Sequence, residues 1–90
     1  MGRSELNALE QAAKQSADNM AEICFKLGMF YSIGGLMPAD KVAAHKWFNL
    51  AAARGNRDAV QYRRELANEM SENEIETAQR AAREWIAAAA

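Results

Sequence analysis

A single cysteine, a single proline and an aromatic content of 8% define what this 90-residue chain does without. Cys24 alone excludes an internal disulfide and leaves too few thiols for the usual structural zinc site, which favours a reducing compartment. With one proline and five glycines the chain has few residues for hairpin turns, and no segment keeps a period-2 alternation, so strands are excluded as its organising element. An excess of one charge is missing as well. Eleven Lys and Arg against twelve Asp and Glu give a formal net charge of -1, so no global positive field draws the chain to nucleic acid or to an anionic membrane. No apolar run reaches the length of a signal peptide or a membrane span, and Met1 to Glu5 lead directly into Asn7 and Glu10. Gly2 does not make a myristoylation site, because Leu6 stands where Ser or Thr is required. The expected compartment is the cytoplasm, or the periplasm if an upstream signal peptide has been removed.

What the chain has is helix-forming sequence. Hydrophobic residues make up 50% of it, much of that alanine, which suits helices that approach one another closely through small side chains. The length supports one domain with one core. Five helices are expected. The first runs from Ser4 as N-cap to about Lys14, with Leu6, Leu9 and Ala13 on one face. The second begins near Asp18 and ends at the paired glycines Gly34 and Gly35; it is apolar nearly all round, with Cys24, Leu27 and Tyr31 on one stripe and Phe25, Met29 and Ile33 on another, and is expected to be central. The third is capped by Asp40, carries Ala44, Trp47, Phe48 and Ala51, and stops at Gly55. The fourth, about Arg57 to Met70, aligns Ala59, Tyr62, Leu66 and Met70. Ser71 and Glu74 form a capping box for the fifth, whose stripe is Ile75, Ala78, Ala82, Trp85 and Ile86.

Within the second and third helices, Leu27-Gly28, Tyr31, Gly34, Asp40, Ala44, Trp47-Phe48, Ala51-Ala52, Gly55 and Ala59 recur at set intervals. Gly28 and the alanines let two antiparallel backbones approach, and Tyr31, Trp47 and Phe48 fill the remaining space. This pattern resembles one Sel-one-like repeat, a tetratricopeptide-related helical hairpin, over about residues 21 to 59. The chain departs from the family at Ile23, where alanine is usual, and at Leu36-Met37, where a Gly-Val pair is usual. A second copy would put its Leu-Gly pair at Arg63-Arg64, so only the start of another repeat is present. The resemblance implies an all-α, short right-handed α-solenoid: an N-terminal capping helix over 3–16, a full helical hairpin over 18–55, a degenerate half repeat over 56–70 and a C-terminal capping helix over 71–90. Its repeat core would be Leu27, Gly28, Tyr31, Ala44, Trp47, Phe48, Ala51, Gly55 and Ala59.

Proteins of this type act as adaptors or regulatory partners that hold a peptide or protein on a concave surface. The resemblance puts Glu22, Phe25, Met29 and Ile33 on that surface, continued by Asp58, Gln61, Glu65 and Asn68, an apolar floor against an acidic and amide-rich wall. Three arrangements are open. The surface takes a segment with apolar anchors and basic flanks; it is covered by the first helix through Leu6 and Leu9; or it pairs with its twin in a homodimer.

No residue pattern supports an enzyme. His45 has no second ligand at helical spacing, with Lys41 and Asn49 nearest it, and is expected on the solvated surface. Cys24 lies on a core stripe with no activating base. Neither a cofactor nor a metal is called for. Arg54, Arg57, Arg63 and Arg64 form the one basic cluster, but Asp58, Glu65 and Glu69 are interleaved with it, which marks a solvated face more than a nucleic-acid site. Trp85 is expected to lock the last helix onto Leu66 and Met70.

Overall fold

The computed structural model describes the backbone of residues 3–15, 19–35 and 38–89, and the side chains of all of these but 11–15. Five helices follow one another: α1 (Arg3–Gln15), α2 (Met20–Ile33), α3 (Lys41–Ala53), α4 (Arg57–Ala67) and α5 (Glu72–Ala89). Among the described residues there is no strand, so the chain is all-α. The expected helix start at Asp18, the Leu36-Met37 pair and the Ala13 side chain lie outside the described residues.

Local chemistry sets most of the helix ends. Gly34, at φ 84°, closes α2 and donates its N–H to the Phe30 carbonyl. The Asp40 Oδ1 accepts from the Ala43 N–H at 3.0 Å and starts α3, while the Asp40 N–H reaches back to the Tyr31 carbonyl at 2.9 Å and ties the start of α3 to the end of α2. At the far end of α3, Gly55 lies at φ 103° and donates to the Ala52 carbonyl while Asn56 donates to that of Ala51, the paired bonds of a Schellman turn. Asn56 then caps α4, its Oδ1 accepting from the Ala59 N–H at 2.9 Å. Ser71 and Glu74 cap α5 reciprocally: the Ser71 N–H donates to Glu74 Oε1 at 2.9 Å and the Glu74 N–H to Ser71 Oγ at 3.1 Å.

Two boundaries differ from expectation. Ser4 is inside α1 rather than capping it, since the helix already includes Arg3. Helix α4 ends at Ala67, three residues before Met70: the Glu69 and Met70 N–H groups bond the carbonyls three residues back, tightening the last turn.

Helix α3 packs against α2, α4 and α5, and α1 packs against α2. The centre is therefore α3, not α2, and it buries Ala44, His45, Trp47, Phe48, Leu50 and Ala51. Helix α2 buries only one stripe, Met20, Cys24, Leu27 and Gly28, and its second apolar face stays half-buried at Phe25 and Met29 and open at Ile33. The α2–α3 approach is close enough to require glycine, because a Cβ on Gly28 would fall 2.5 Å from Phe48 Cδ1. On another flank of α3, Trp47 meets Trp85 of α5 edge to face, centroids 5.5 Å apart at 74°. The ring on which Trp85 docks is thus on α3, whereas its expected anchors were Leu66 and Met70. Among the described residues no helix is long and apolar enough to cross a membrane.

Candidate functional site

Three aromatic rings from three helices meet on the side of the molecule where α2 and α4 face each other. Phe48 of α3 occupies the space that Gly28 leaves and is almost fully buried. Phe25 of α2 tilts against it, centroids 5.8 Å apart, and Tyr62 of α4 stacks on it at 5.4 Å and 21°. Phe25 and Tyr62 also touch edge to face at 5.5 Å, which closes the triangle. Tyr62 remains 39% exposed and Phe25 is half-buried, so the cluster reaches the surface, chiefly through Tyr62.

Beside Tyr62 lies a hollow of about 210 Å³. Phe48, Tyr62 and Leu66 form its apolar part, Ser32 and Ala39 come from the α2–α3 side, and Lys41, Glu65 and Glu69 carry the charges. Lys41 Nζ and Glu69 Oε1 are 3.5 Å apart, both side chains about half exposed, so water screens the pair and it contributes little to stability. Glu65 Oε1 accepts from Gln61 Nε2 at 3.0 Å, one turn apart on α4. Two carboxylates thus stand against one ammonium next to a partly open aromatic ring.

The eight residues expected on a concave surface are placed unevenly. Phe25 belongs to the aromatic cluster and Glu65 lines the hollow. Met29 is half-buried against the core, while Ile33 is 71% exposed at the end of α2. Glu22 is exposed and paired with Lys26 at 3.4 Å. Gln61 touches the site only through Glu65, and Asp58 and Asn68 are exposed without lining it. The expectation missed Ser32, Lys41, Tyr62, Leu66 and Glu69 as lining residues. A usable signal for Tyr62 was present: an aromatic residue on the inward stripe of α4 and a leftover apolar face on α2 both need a partner.

Helix α1 packs on α2, with Leu6 buried in the core. Burial first, then the carboxylates of Glu10 and Asp40, push the Tyr31 phenol above its usual range while Arg3 pulls the other way, so Glu10 of α1 reaches the Tyr31 flank of α2. Six residues separate Tyr31 from Phe25, roughly 120° around the helix, so this flank is not the one that meets Tyr62. Tyr31 itself borders a second, wider cleft of about 570 Å³ with Asp40, Lys41 and Glu74, but both of those carboxylates are already helix caps.

The remaining candidates are also decided by packing. Burial pushes the Cys24 thiol up to about 11, with Arg54 and Lys46 pulling weakly the other way, so it stays protonated. His45 is 3% exposed, not solvated as expected, because its flank of α3 is covered by neighbouring helices. Burial and then the nearby Arg63 guanidinium hold its imidazole below the usual range. Arg63 turns inward and donates from Nη1 to Asn49 Oδ1 at 2.9 Å, which removes it from the arginine cluster and leaves Arg54, Arg57 and Arg64 exposed. Among the described residues no three His, Cys, Asp or Glu side chains converge as metal ligands would. No family model matches the chain, and no curated protein or solved structure matches it either.

Proposed function

We propose that the protein is a non-enzymatic interaction module, a short right-handed solenoid of tetratricopeptide type with one full Sel-one-like hairpin, a half repeat and two caps. It holds a peptide or protein segment between α2 and α4, without cofactor. The observation that carries this reading is the hollow beside Tyr62, an exposed aromatic ring flanked by Glu65 and Glu69. An apolar anchor of the partner stacks on Tyr62 and displaces water from Leu66, and Lys or Arg next to that anchor meets the two carboxylates. The hairpin order of the helices and the glycine-dependent approach of α2 and α3 support the repeat assignment.

The test is selection from a displayed random peptide library, followed by NMR titration of the protein with the selected peptide. Enriched sequences should combine an aliphatic or aromatic residue with adjacent basic residues, and amide shifts should concentrate at Ser32, Tyr62, Glu65 and Glu69. Glu65→Lys should weaken binding about tenfold, roughly 1.4 kcal/mol. Absence of any enriched sequence, or shifts on the α5 side, would overturn the reading.

One observation favours a second reading, self-association. Ile33 is 71% exposed and continues the half-buried face of Phe25 and Met29, so a second copy has an apolar edge to cover. Light scattering at two concentrations separates the two readings, because a tight dimer on that face leaves no room for a peptide.

A further inference from the structure

His45 is the buried polar side chain of the described core, and its Nδ1 has no hydrogen-bond partner. Leaving a buried polar atom unpaired costs about 1–3 kcal/mol, so the position calls for an explanation beyond packing. His45 and Asn49 are four residues apart and share a flank of α3. Asn49 accepts the Arg63 guanidinium from α4 at 2.9 Å, and the positive charge of Arg63 reaches the imidazole. One helix–helix seam therefore holds a neutral ring, an amide and a cation.

Among the described residues, none of the carboxylates on the helices packed against α3 is buried beside the ring to balance a second positive charge. On α4, Asp58 and Glu65 are exposed; on α5, Glu72, Glu74, Glu76 and Glu84 are exposed, and the buried residues are Ala78 and Ala82. Helix α2 brings only the exposed Glu22 and Lys26, and α3 itself has Lys41 exposed and Lys46 half-buried. After burial, the Arg63 guanidinium is the charge that holds the ring's pKa down.

We propose that His45, Asn49 and Arg63 form an acid-sensitive latch on the α3–α4 seam. When the buried ring takes a proton from solvent, two cations share one seam, the Arg63–Asn49 bond is lost and α4 swings away from α3. Helix α4 carries Tyr62, Glu65 and Leu66, so the opened latch removes one wall of the hollow; that consequence rests on the proposed binding function, while the latch itself does not.

The direction with pH follows from burial and Arg63, which both hold the folded imidazole below its ordinary 6.5. The opened state therefore binds more protons than the closed one between the folded pKa and 6.5. The seam is at full strength above pH 6.5 and weakens as pH falls through that value towards the folded pKa.

Hydrogen exchange at pH 7.5 and 5.5, corrected for intrinsic rates and read without any partner, tests the latch. Residues 57–67 should lose protection about tenfold more than residues 20–33 at the lower pH. His45→Leu should abolish that difference. Equal loss across both helices, unchanged protection of α4, or a wild-type response in His45→Leu would each overturn the proposal. If His45→Leu does not fold, two other measurements decide: Arg63→Met should shrink the acid response, and the wild-type imidazole followed by NMR should titrate below 6.5 in the folded protein. A folded midpoint at or above 6.5, or an undiminished response in Arg63→Met, would overturn it. Failure of peptide binding leaves all of these results untouched.

Discussion

Helices α2 and α4 both pack on α3, but by different means. Helix α2 sets Met20, Cys24, Leu27 and Gly28 into the core and comes so close that a single methyl group at Gly28 has no place. Helix α4 buries only Ala59 and Leu66, and adds one stacked ring and one arginine–asparagine hydrogen bond. The α2–α3 contact is apolar and shape-determined, and water has little to gain from opening it. The α4–α3 contact mixes a partly exposed ring with polar groups that water can satisfy. The proposed binding site and the proposed latch both lie on this second contact, which fits the expectation that moving or ligand-taking parts come from the less stable end of a fold.

The sharpest way to break the comparison is at the ring that both contacts share. Phe48→Ala removes the partner of Gly28, Phe25 and Tyr62 at once. A buried Phe→Ala change costs about 3–5 kcal/mol, a large part of the roughly 5–15 kcal/mol that holds a typical domain. Urea unfolding followed by far-UV circular dichroism should show the midpoint fall by that amount or the cooperative transition disappear. A loss below ~1 kcal/mol would mean that α2 and α4 do not depend on one ring.

Much of the α2–α3 contact was legible in the sequence because its determinants are local. Asp40, Gly34, Gly55 and the Ser71–Glu74 box mark helix ends by chemistry that acts within a few residues. Gly28 opposite the Trp47-Phe48 pair marked the close approach. The α4 side was harder to read. His45 looked solvated because periodicity assumes one buried face per helix, and α3 is covered by three neighbours, so a polar-looking position on its α4 flank is interior. Tyr62 was read as an inward residue of α4, and it is, yet its ring also reaches the surface, which depends on the α2–α4 gap and on no pattern within α4. Of the charged residues that line the hollow, Glu65 was expected, whereas Lys41 and Glu69 were missed for the same reason: they meet only once α4 is packed on α3.

A change of intermediate size separates the two contacts. Gly28→Ala gains about 1 kcal/mol of helix propensity, but forcing a methyl group against Phe48 costs about 1–3 kcal/mol. Phe48 is wedged between Phe25 and Tyr62 and has little freedom to withdraw, so overpacking should win. The thermal midpoint should fall, by roughly 4–8 °C for each net kcal/mol in a chain of this size. A raised midpoint would show that the ring can shift, and the distinction between a tight and a loose contact on α3 would weaken.

The smallest expected effect lies outside both contacts and tests whether they form one cooperative unit. Ser71→Ala removes the hydroxyl that accepts from the Glu74 N–H, at an exposed cap where the loss is worth about 1 kcal/mol or less. Helix α5 is anchored on α3 by Trp85 against Trp47, with no shared side chain at Gly28. Combined with Gly28→Ala, the change should therefore add within about 0.5 kcal/mol if folding is two-state. Additivity in urea unfolding is the outcome of independent sites on one unit. A Gly28→Ala background in which Ser71→Ala costs nothing would mean that α5 has already left α3, so that the looseness assigned to α4 extends to the whole second half of the chain.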